Sequence, residues 1–325
     1  MTVSEAASLP KSPSFGDDRD HNKTSKLTLF SALPPAGLLT QFDAGFIAEP
    51  SERDALLALW QKANGSFNRF SPLRAIATKE DVEQLQEVEE RIARLMLSRA
   101  KSYPPYDSHS TGIYNVRISK LVTPQVTLNI QRAHDRFPVV SGMKEAELFD
   151  LSFRGSVSST PITRQILGVA GNGGALLFTS YDEDVRLHHP PQYRRIPIND
   201  KDRDSPTFES VCFPVGGGLP FASAYRIQIS EGNIRLVLNN GIHRVFRLAE
   251  SGYQWCPMLV CDLVPLELPD PFVDLPRDVL LGSNSIPPMV SDFLNSEVVI
   301  PLRYHALLKT IRLNWNFEQY VTVLK

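Results

Sequence analysis

The sequence predicts an α+β protein in which a helical N-terminal part is followed by a domain built on a mixed sheet. Three observations predict this class. Apolar residues recur at helical spacing between residues 82 and 96, whereas apolar and polar residues alternate from 116 to 122. Residues 225–264 then show the order strand, strand, helix and strand. With 42% hydrophobic and 22% charged residues, the 325-residue chain has the composition of an ordinary globular protein with a substantial core.

The first 110 residues are expected to contain a tail and two helices. Residues 1–26 are rich in Ser, Lys and Asp and predict a disordered tail. Residues 27–110 form the predicted helical N-terminal part. Ser51 is the expected N-cap of its first helix, and Thr78 is the expected N-cap of a second helix that runs to about Lys101.

Residues 111–264 are predicted to form an α/β domain that carries a large insertion at 137–224. Alternating or continuous apolar residues indicate its strands, and turn residues separate them. The predicted elements are strands at 116–122, 225–229, 234–238 and 258–264 and a helix at 243–250. Within the insertion, the glycine-rich residues 171–174 separate two apolar runs and predict a hairpin.

Residues 265–325 are predicted to form a proline-rich wrap and a C-terminal strand. Prolines are concentrated in 265–288, so this segment is expected to pass over the surface. Apolar and polar residues alternate after residue 310, which indicates a half-buried strand at 311–323. Both features are candidate docking surfaces for a protein partner, because an exposed edge strand can pair with another chain.

Charge and cysteine content exclude some classes of protein. The net charge of −2 gives no global field toward nucleic acid or an anionic membrane, so any phosphate contact needs a local site. No segment approaches the ~20 apolar residues of a membrane span. Three cysteines, Cys212, Cys256 and Cys261, favour a reducing compartment, and the expected location is the cytoplasm. Cys256 and Cys261 are five residues apart, which places them on opposite faces of a strand and argues against a shared metal.

The candidate site is the turn at residues 239–244, where a glycine is followed by two basic residues at the start of the helix at 243–250. Gly241 allows the backbone to approach a ligand closely, and a helix N-terminus presents unpaired N–H groups and a positive dipole end. Arg244 can donate two hydrogen bonds to a phosphate, and His243 adds a further donor. Asn240 is the expected N-cap. A capping turn with two surface basic residues is the alternative interpretation.

Several motifs in this region resemble the ParB/sulfiredoxin superfamily. In that family a hairpin is followed by Gly-x-His/Arg-Arg, a short helix, a glycine and a strand that begins with proline. The corresponding stretches are Val-Leu-Asn-Asn-Gly-Ile-His-Arg at 237–244, Leu-Ala-Glu-Ser-Gly at 248–252 and Pro-Met-Leu-Val at 257–260. Strand 116–122 and the following Pro124 are similar to the family's first strand and its proline.

The resemblance implies that a phosphate binds at Asn240, Gly241, His243 and Arg244. It also implies nucleotide or nucleic-acid ligands, with Mg²⁺ as a companion of a nucleotide, and a plasmid, phage or defence setting. Nucleotide hydrolysis or nuclease activity would be the corresponding reaction. Ile242 stands where sulfiredoxin has its cysteine, so reduction of a sulfinic acid at this position is excluded. ParB-like clamps have Glu-Arg where this chain has Ile242-His243.

Further basic residues and one histidine pair are weaker candidates. Arg117 and Arg132 lie near the first strand of the domain and could extend an anion-binding groove. His188 and His189 follow an acidic loop and are candidates for a metal site, although a solvated loop is the more ordinary outcome. The alternative function is a non-catalytic interaction or scaffold protein on the same fold.

Overall fold

The structure is a computed structural model, and it describes residues 23–34, 37, 53–86, 88, 90–101, 106–153, 162–170, 173–180, 186–187, 192–197, 207–212, 215–216, 221–270, 272–305 and 309–316. The chain forms two compact units, each from two separate stretches. The first unit comprises Met1–Ser156 and Leu219–Ala306, and the second comprises Val157–Gly218 and Leu307–Lys325. Helices and strands are both present, and the class is α+β, as the sequence predicts.

Along the first stretch of the first unit, the elements are β1 (Lys23–Thr28), α1 (Arg53–Phe67), β2 (Val82–Gln84), α2 (Glu90–Ala100), β3 (Thr111–Arg117), β4 (Leu121–Val122), β5 (Thr127–Asn129), α3 (Ile130–Arg136) and α4 (Glu145–Phe153). The second unit contributes β6 (Thr163–Ala170), β7 (Gly173–Ser180), β8 (Arg186–Leu187), β9 (Gln192–Pro197), β10 (Thr207–Cys212) and β11 (Val215–Gly216). The first unit resumes with β12 (Ser223–Ser230), β13 (Asn233–Asn240), α5 (Ile242–Glu250), β14 (Trp255–Leu263), α6 (Arg277–Leu281) and β15 (Ile300–His305), and β16 (Lys309–Asn316) belongs to the second.

A six-stranded mixed sheet forms the centre of the first unit, in the order β2-β3-β14-β12-β13-β4. β12 and β13 form an antiparallel hairpin, while β12 runs parallel to β14. Helix α5 connects β13 to β14 and is buried along most of its length. The order hairpin, helix and strand across residues 223–263 is therefore the one predicted from the sequence.

The central sheet must curl, because the connection between β3 and β4 is short. Only three residues, Ile118–Lys120, separate these strands along the chain. In the sheet order, β14, β12 and β13 lie between them. A flat sheet would place β3 and β4 about 19 Å apart, whereas the connection spans at most about 14 Å. The two strands are therefore brought toward each other around a strongly curved sheet.

A second, three-stranded sheet in the first unit joins distant parts of the chain. Its order is β15-β1-β5, and β1 is the central strand, antiparallel to both neighbours. Leu27 of β1 and Leu302 of β15 are buried in the same hydrophobic core as the central sheet. The Thr28 hydroxyl also donates to the carbonyl oxygen of Ile300 at 2.7 Å, which further ties β1 to β15.

Several apolar residues of the segment 265–288 are buried in the core of the first unit. Phe272 packs against Tyr225 of β12, with ring centroids 5.7 Å apart, and Leu275 and Leu280 are fully buried. Val273 lies between Phe272 and Leu275 and has a φ of +58°. This left-handed conformation strains a β-branched side chain. The segment is therefore anchored by buried apolar residues on either side of a strained turn.

The second unit is described by its strands alone. β16 pairs with β7, and β7 pairs with β6, in a three-stranded antiparallel sheet. The hairpin predicted around residues 171–174 is confirmed as β6 and β7. The C-terminal strand predicted at 311–323 is observed as Lys309–Asn316 and occupies an edge of this sheet. The unit takes residues 157–218 of the expected insertion 137–224 and adds the C-terminal strand.

The N-terminal part differs from the prediction in two places. Residues 23–26, expected in the tail, lie in β1. The helix expected to begin after Thr78 is also wrong as predicted, because Thr78 caps a single 3-10 turn and is followed by β2, which pairs with β3. Helix α2 begins only at Glu90. The part between 27 and 110 is therefore helical in α1 and α2 and extended where it joins the sheets; Ser51 lies outside the described residues.

Candidate functional site

Gly241 forms the turn between β13 and α5, and a larger residue would be strained there. Its φ is +100°, in the left-handed region that glycine adopts readily. A Cβ atom at this position would lie 3.1 Å from both the Cα and the Cβ of Ala222. The turn is therefore packed against the backbone that leads into β12, and glycine is required for both its conformation and its size.

Asn240 is not the N-cap, contrary to the prediction. Gly241 is the N-cap of α5, and no side chain caps the first turn from that position. Asn240 ends β13, and its Nδ2 donates to the carbonyl oxygen of Phe221 at 2.5 Å. The side chain thus ties the end of β13 to the segment before β12, which is where Ala222 meets Gly241. Its role is to hold the turn in place.

His243 and Arg244 lie in the first turn of α5 and are largely buried, with exposed fractions of 9% and 4%. The first turn contains no acidic residue. Arg244 Nη1 donates to the carbonyl oxygen of Ser152 in α4 at 2.8 Å, and its guanidinium lies 5.0 Å from the ring centroid of Phe137. Arg244 therefore links α5 to α4. The sequence predicts Arg244 as a phosphate ligand or a surface residue and does not predict this buried contact.

Arg117 and Arg132 are held by other elements. Arg117 forms an ion pair with Asp81, with Nε 2.8 Å from Oδ1, and its guanidinium lies 4.5 Å from the Trp255 ring centroid. β14 and β12 separate its strand from β13. Arg132 is in α3, which packs against α5, and its backbone N–H donates to Asn129 Oδ1 at 2.9 Å. Arg132 therefore belongs to an element that contacts α5.

The buried cysteines are unsuited to reactive chemistry. Cys256 and Cys261 in β14 are both free and buried, and their spacing places them on opposite faces of the strand. Burial raises the pKa of Cys256 to about 11, so the thiolate is scarce at neutral pH. Across the described residues, no group of three or more His, Cys, Asp or Glu could hold a metal ion. His188 and His189 lie outside the described residues.

A groove of about 750 Å³ lies at the opposite end of β12 from the Gly241 turn. Arg226 of β12 and Asp262 of β14 face each other across parallel strands, with Nε 2.5 Å from Oδ1 and Nη2 2.8 Å from Oδ2. This ion pair raises the pKa of Arg226. The other lining residues are Thr78, Lys79, Glu80, Gln228, Gly232, Ile234 and Leu263.

Sequence reasoning does not find this groove, because its charged pair is separated by 36 positions and depends on the register of two parallel strands. The only available signal is that Asp262 interrupts an otherwise apolar strand at 258–264. A charge in such a strand needs a partner, and Arg226 supplies it.

Among the described helices, none has both the length and the apolar character needed to cross a membrane. No protein family, no curated protein and no solved structure matches this chain.

Proposed function

We propose that the first unit binds a phosphate or a similar oxyanion at the N-terminus of α5, through Gly241, His243 and Arg244. The observation that carries this proposal is the composition of the first turn, which combines a left-handed glycine with two basic residues and no acidic one. We further propose that β12, β13, α5 and β14 form a ParB/sulfiredoxin-like arrangement, and that the protein acts in the cytoplasm.

Helix electrostatics support the proposal. The N-terminus of a helix carries partial positive charge, so a cation in the first turn costs about 0.3–1 kcal/mol rather than stabilising the helix. Arg244 occupies this unfavourable position, and His243 shares it in its protonated form. A bound oxyanion would reverse the sign of these interactions, because it attracts the helix dipole, the N–H groups and both side chains.

The closeness of Gly241 to Ala222 supports the same site. The turn packs against Ala222, which directly precedes β12. A ligand at the N-terminus of α5 would therefore contact a backbone that is held by this packing. The Asn240 hydrogen bond to Phe221 restrains the same corner. Such preorganisation lowers the entropy that binding must overcome. The ligand class we propose is a nucleotide or nucleic-acid phosphate, which would require this local site because the chain as a whole is slightly acidic.

A thermal-shift titration of the purified chain with CTP, ATP, GTP, sulfate and short DNA tests this proposal. A ligand at ~100 times its dissociation constant stabilises a folded protein by ~2.7 kcal/mol. We expect His243→Ala to lose most of the ligand-induced shift, and His305→Ala, at an exposed position on β15, to retain it. Because Arg244 also links α5 to α4, its variants are compared by the shift that ligand induces and not by their own Tm. Equal shifts in the wild type and His243→Ala would refute the site.

A protein-interaction role is the second candidate, and apolar exposure on the wrap favours it. Leu266, Val264 and Val273 have exposed fractions of 85%, 57% and 54%, within ten residues of one another. Exposed large apolar side chains are typical of docking surfaces when they form one patch, and the short spacing of these three along the chain favours such a patch. Under this proposal, Leu266→Lys abolishes capture of a partner by the immobilised chain, whereas His243→Ala leaves capture intact. The reverse pattern would favour the anion site.

A further inference from the structure

Arg235 of β13 is the largest side chain that is fully buried in the described part of the chain, with an exposed fraction of 0%. Its Nη2 donates to the carbonyl oxygen of Gly282, at 3.1 Å. Its Nε and Nη1 atoms have no hydrogen-bond partner within the described residues. That single carbonyl is shared, because the Ser285 hydroxyl donates to the same oxygen at 2.7 Å. Two of the three guanidinium nitrogens are thus buried without an acceptor.

Three half-buried arginines of this unit, Arg74, Arg117 and Arg226, are each paired with a carboxylate. Arg74 donates to both oxygens of Asp292 at 2.7 Å, and Arg226 is paired in the same manner with Asp262. No carboxylate of the described residues forms an ion pair with Arg235. Its direct neighbour across the hairpin is the fully buried Ile227, which offers no polar atom. The charge on Arg235 is therefore not balanced by the surrounding side chains.

A guanidinium remains protonated even when burial lowers its pKa, since its ordinary pKa is above 12. A buried water molecule could accept a hydrogen bond from Nε or Nη1, but it would leave the positive charge unbalanced. An anion provides both the acceptor and the charge. A divalent anion would in turn leave one negative charge buried in excess, so the charge balance favours a monovalent anion.

We propose that Arg235 is the anchor of an internal binding site for a small monovalent anion, either chloride or the carboxylate of a small acid. The site lies beneath the segment that carries Gly282 and Ser285, next to α6. It is separate from the proposed oxyanion site at Gly241, because six residues of extended strand place Arg235 about 20 Å from that turn. Binding of the anion stabilises the attachment of this segment to β13.

The test is a set of thermal unfolding measurements at constant ionic strength, in which the concentration of chloride or of formate is varied. The proteins are the wild type, Arg235→Met and the control Arg303→Met, which removes one charge at an exposed position on β15. We expect the Tm of the wild type and of Arg303→Met to rise with the specific anion, by roughly 5 °C near saturation. Arg235→Met is expected to lack this dependence. The chloride and formate series distinguish the two sources of the anion, and sulfate is expected to affect all three proteins equally.

If the Tm of the wild type and of Arg235→Met rises equally with anion concentration, the proposal is overturned. A wild-type Tm that depends on neither anion would also overturn it, and this is the result expected if water fills the site. If Arg235→Met does not fold, Arg235→Lys keeps the charge with fewer fixed donors and should shift the titration to higher anion concentration. An unchanged titration in Arg235→Lys would also contradict the proposal. His243→Ala should keep the Arg235-dependent response, so failure of one site is distinguishable from failure of the other.

Discussion

Two glycines that flank β13 allow a test of how closely the Gly241 turn is packed. Gly232 precedes the strand with a φ of +73°, and Gly241 follows it with a φ of +100°. A Cβ at Gly232 would meet no atom within 4 Å, whereas a Cβ at Gly241 would lie 3.1 Å from the Cα and Cβ of Ala222. Alanine at either position carries the same cost of a left-handed backbone, but only Gly241→Ala adds a contact that is tighter than ordinary van der Waals distance.

The expected magnitudes follow from these two terms. A left-handed conformation costs an L-residue about 1–2 kcal/mol, and loss of glycine's freedom in the unfolded chain offsets about 0.4–1 kcal/mol of this. Gly232→Ala should therefore lower the free energy of unfolding by about 1 kcal/mol. Overpacking adds about 1–3 kcal/mol, so Gly241→Ala should lower it by about 3 kcal/mol. Both substitutions involve the same atoms, so their difference isolates the contact with Ala222.

Urea unfolding of the wild type and both variants, followed by circular dichroism, measures the difference. We expect the midpoint of Gly241→Ala to fall well below that of Gly232→Ala, with similar slopes. Adding Ala222→Gly to Gly241→Ala should recover part of the loss, since one of the two close atoms is removed while the Cα remains. Equal destabilisation by the two single substitutions would refute the close approach at Gly241.

Three further outcomes are expected from the described contacts. Val273→Asn should raise the free energy of unfolding in urea by about 1 kcal/mol, because asparagine tolerates the left-handed region better than a β-branched residue. The control Val264→Asn, at an exposed position with an ordinary φ, should change the urea midpoint little. Asp292→Asn should cost about 3 kcal/mol in thermal unfolding, because it leaves the Arg74 charge without its bidentate partner; an unaltered Tm would contradict this role. Cys256 should resist iodoacetamide at pH 8 in the native protein and react only in denaturant, since burial excludes the reagent and raises the pKa of the thiol to about 11. Mass spectra that show a labelled Cys256 peptide from the native protein would contradict this expectation.

Local sequence signals predict the elements around the turn well. The strands predicted at 225–229, 234–238 and 258–264 correspond to β12, β13 and β14, because alternation and apolar runs record which faces are buried. The glycine turn was also predictable, since a strand followed directly by a helix needs an unusual backbone conformation. These features depend on residues close together in the chain.

Features that depend on distant residues were not predictable in the same way. Arg244 donates to the carbonyl of Ser152, which lies 92 positions away, so the sequence around Arg244 does not reveal this contact. The helical periodicity after Thr78 was overridden because Val82 pairs with Val116 in the sheet. Asn240 was predicted as a cap from its residue type alone, but the carbonyl of Phe221 engages its side chain. In each case a tertiary partner decided between two locally acceptable structures.

The position of β1 has a consequence for the order of folding. β1 is the middle strand of its sheet and pairs Lys23 with His305, so one of the first described strands depends on one of the last. During synthesis, β1 can pair with β5 early, but its other edge must wait until β15 has left the ribosome. Contacts between such distant positions slow folding, because the chain must close a long loop before the pairing stabilises it. Completion of this sheet is therefore expected to be a late, slow phase in refolding, after the local hairpin of β12 and β13 has formed.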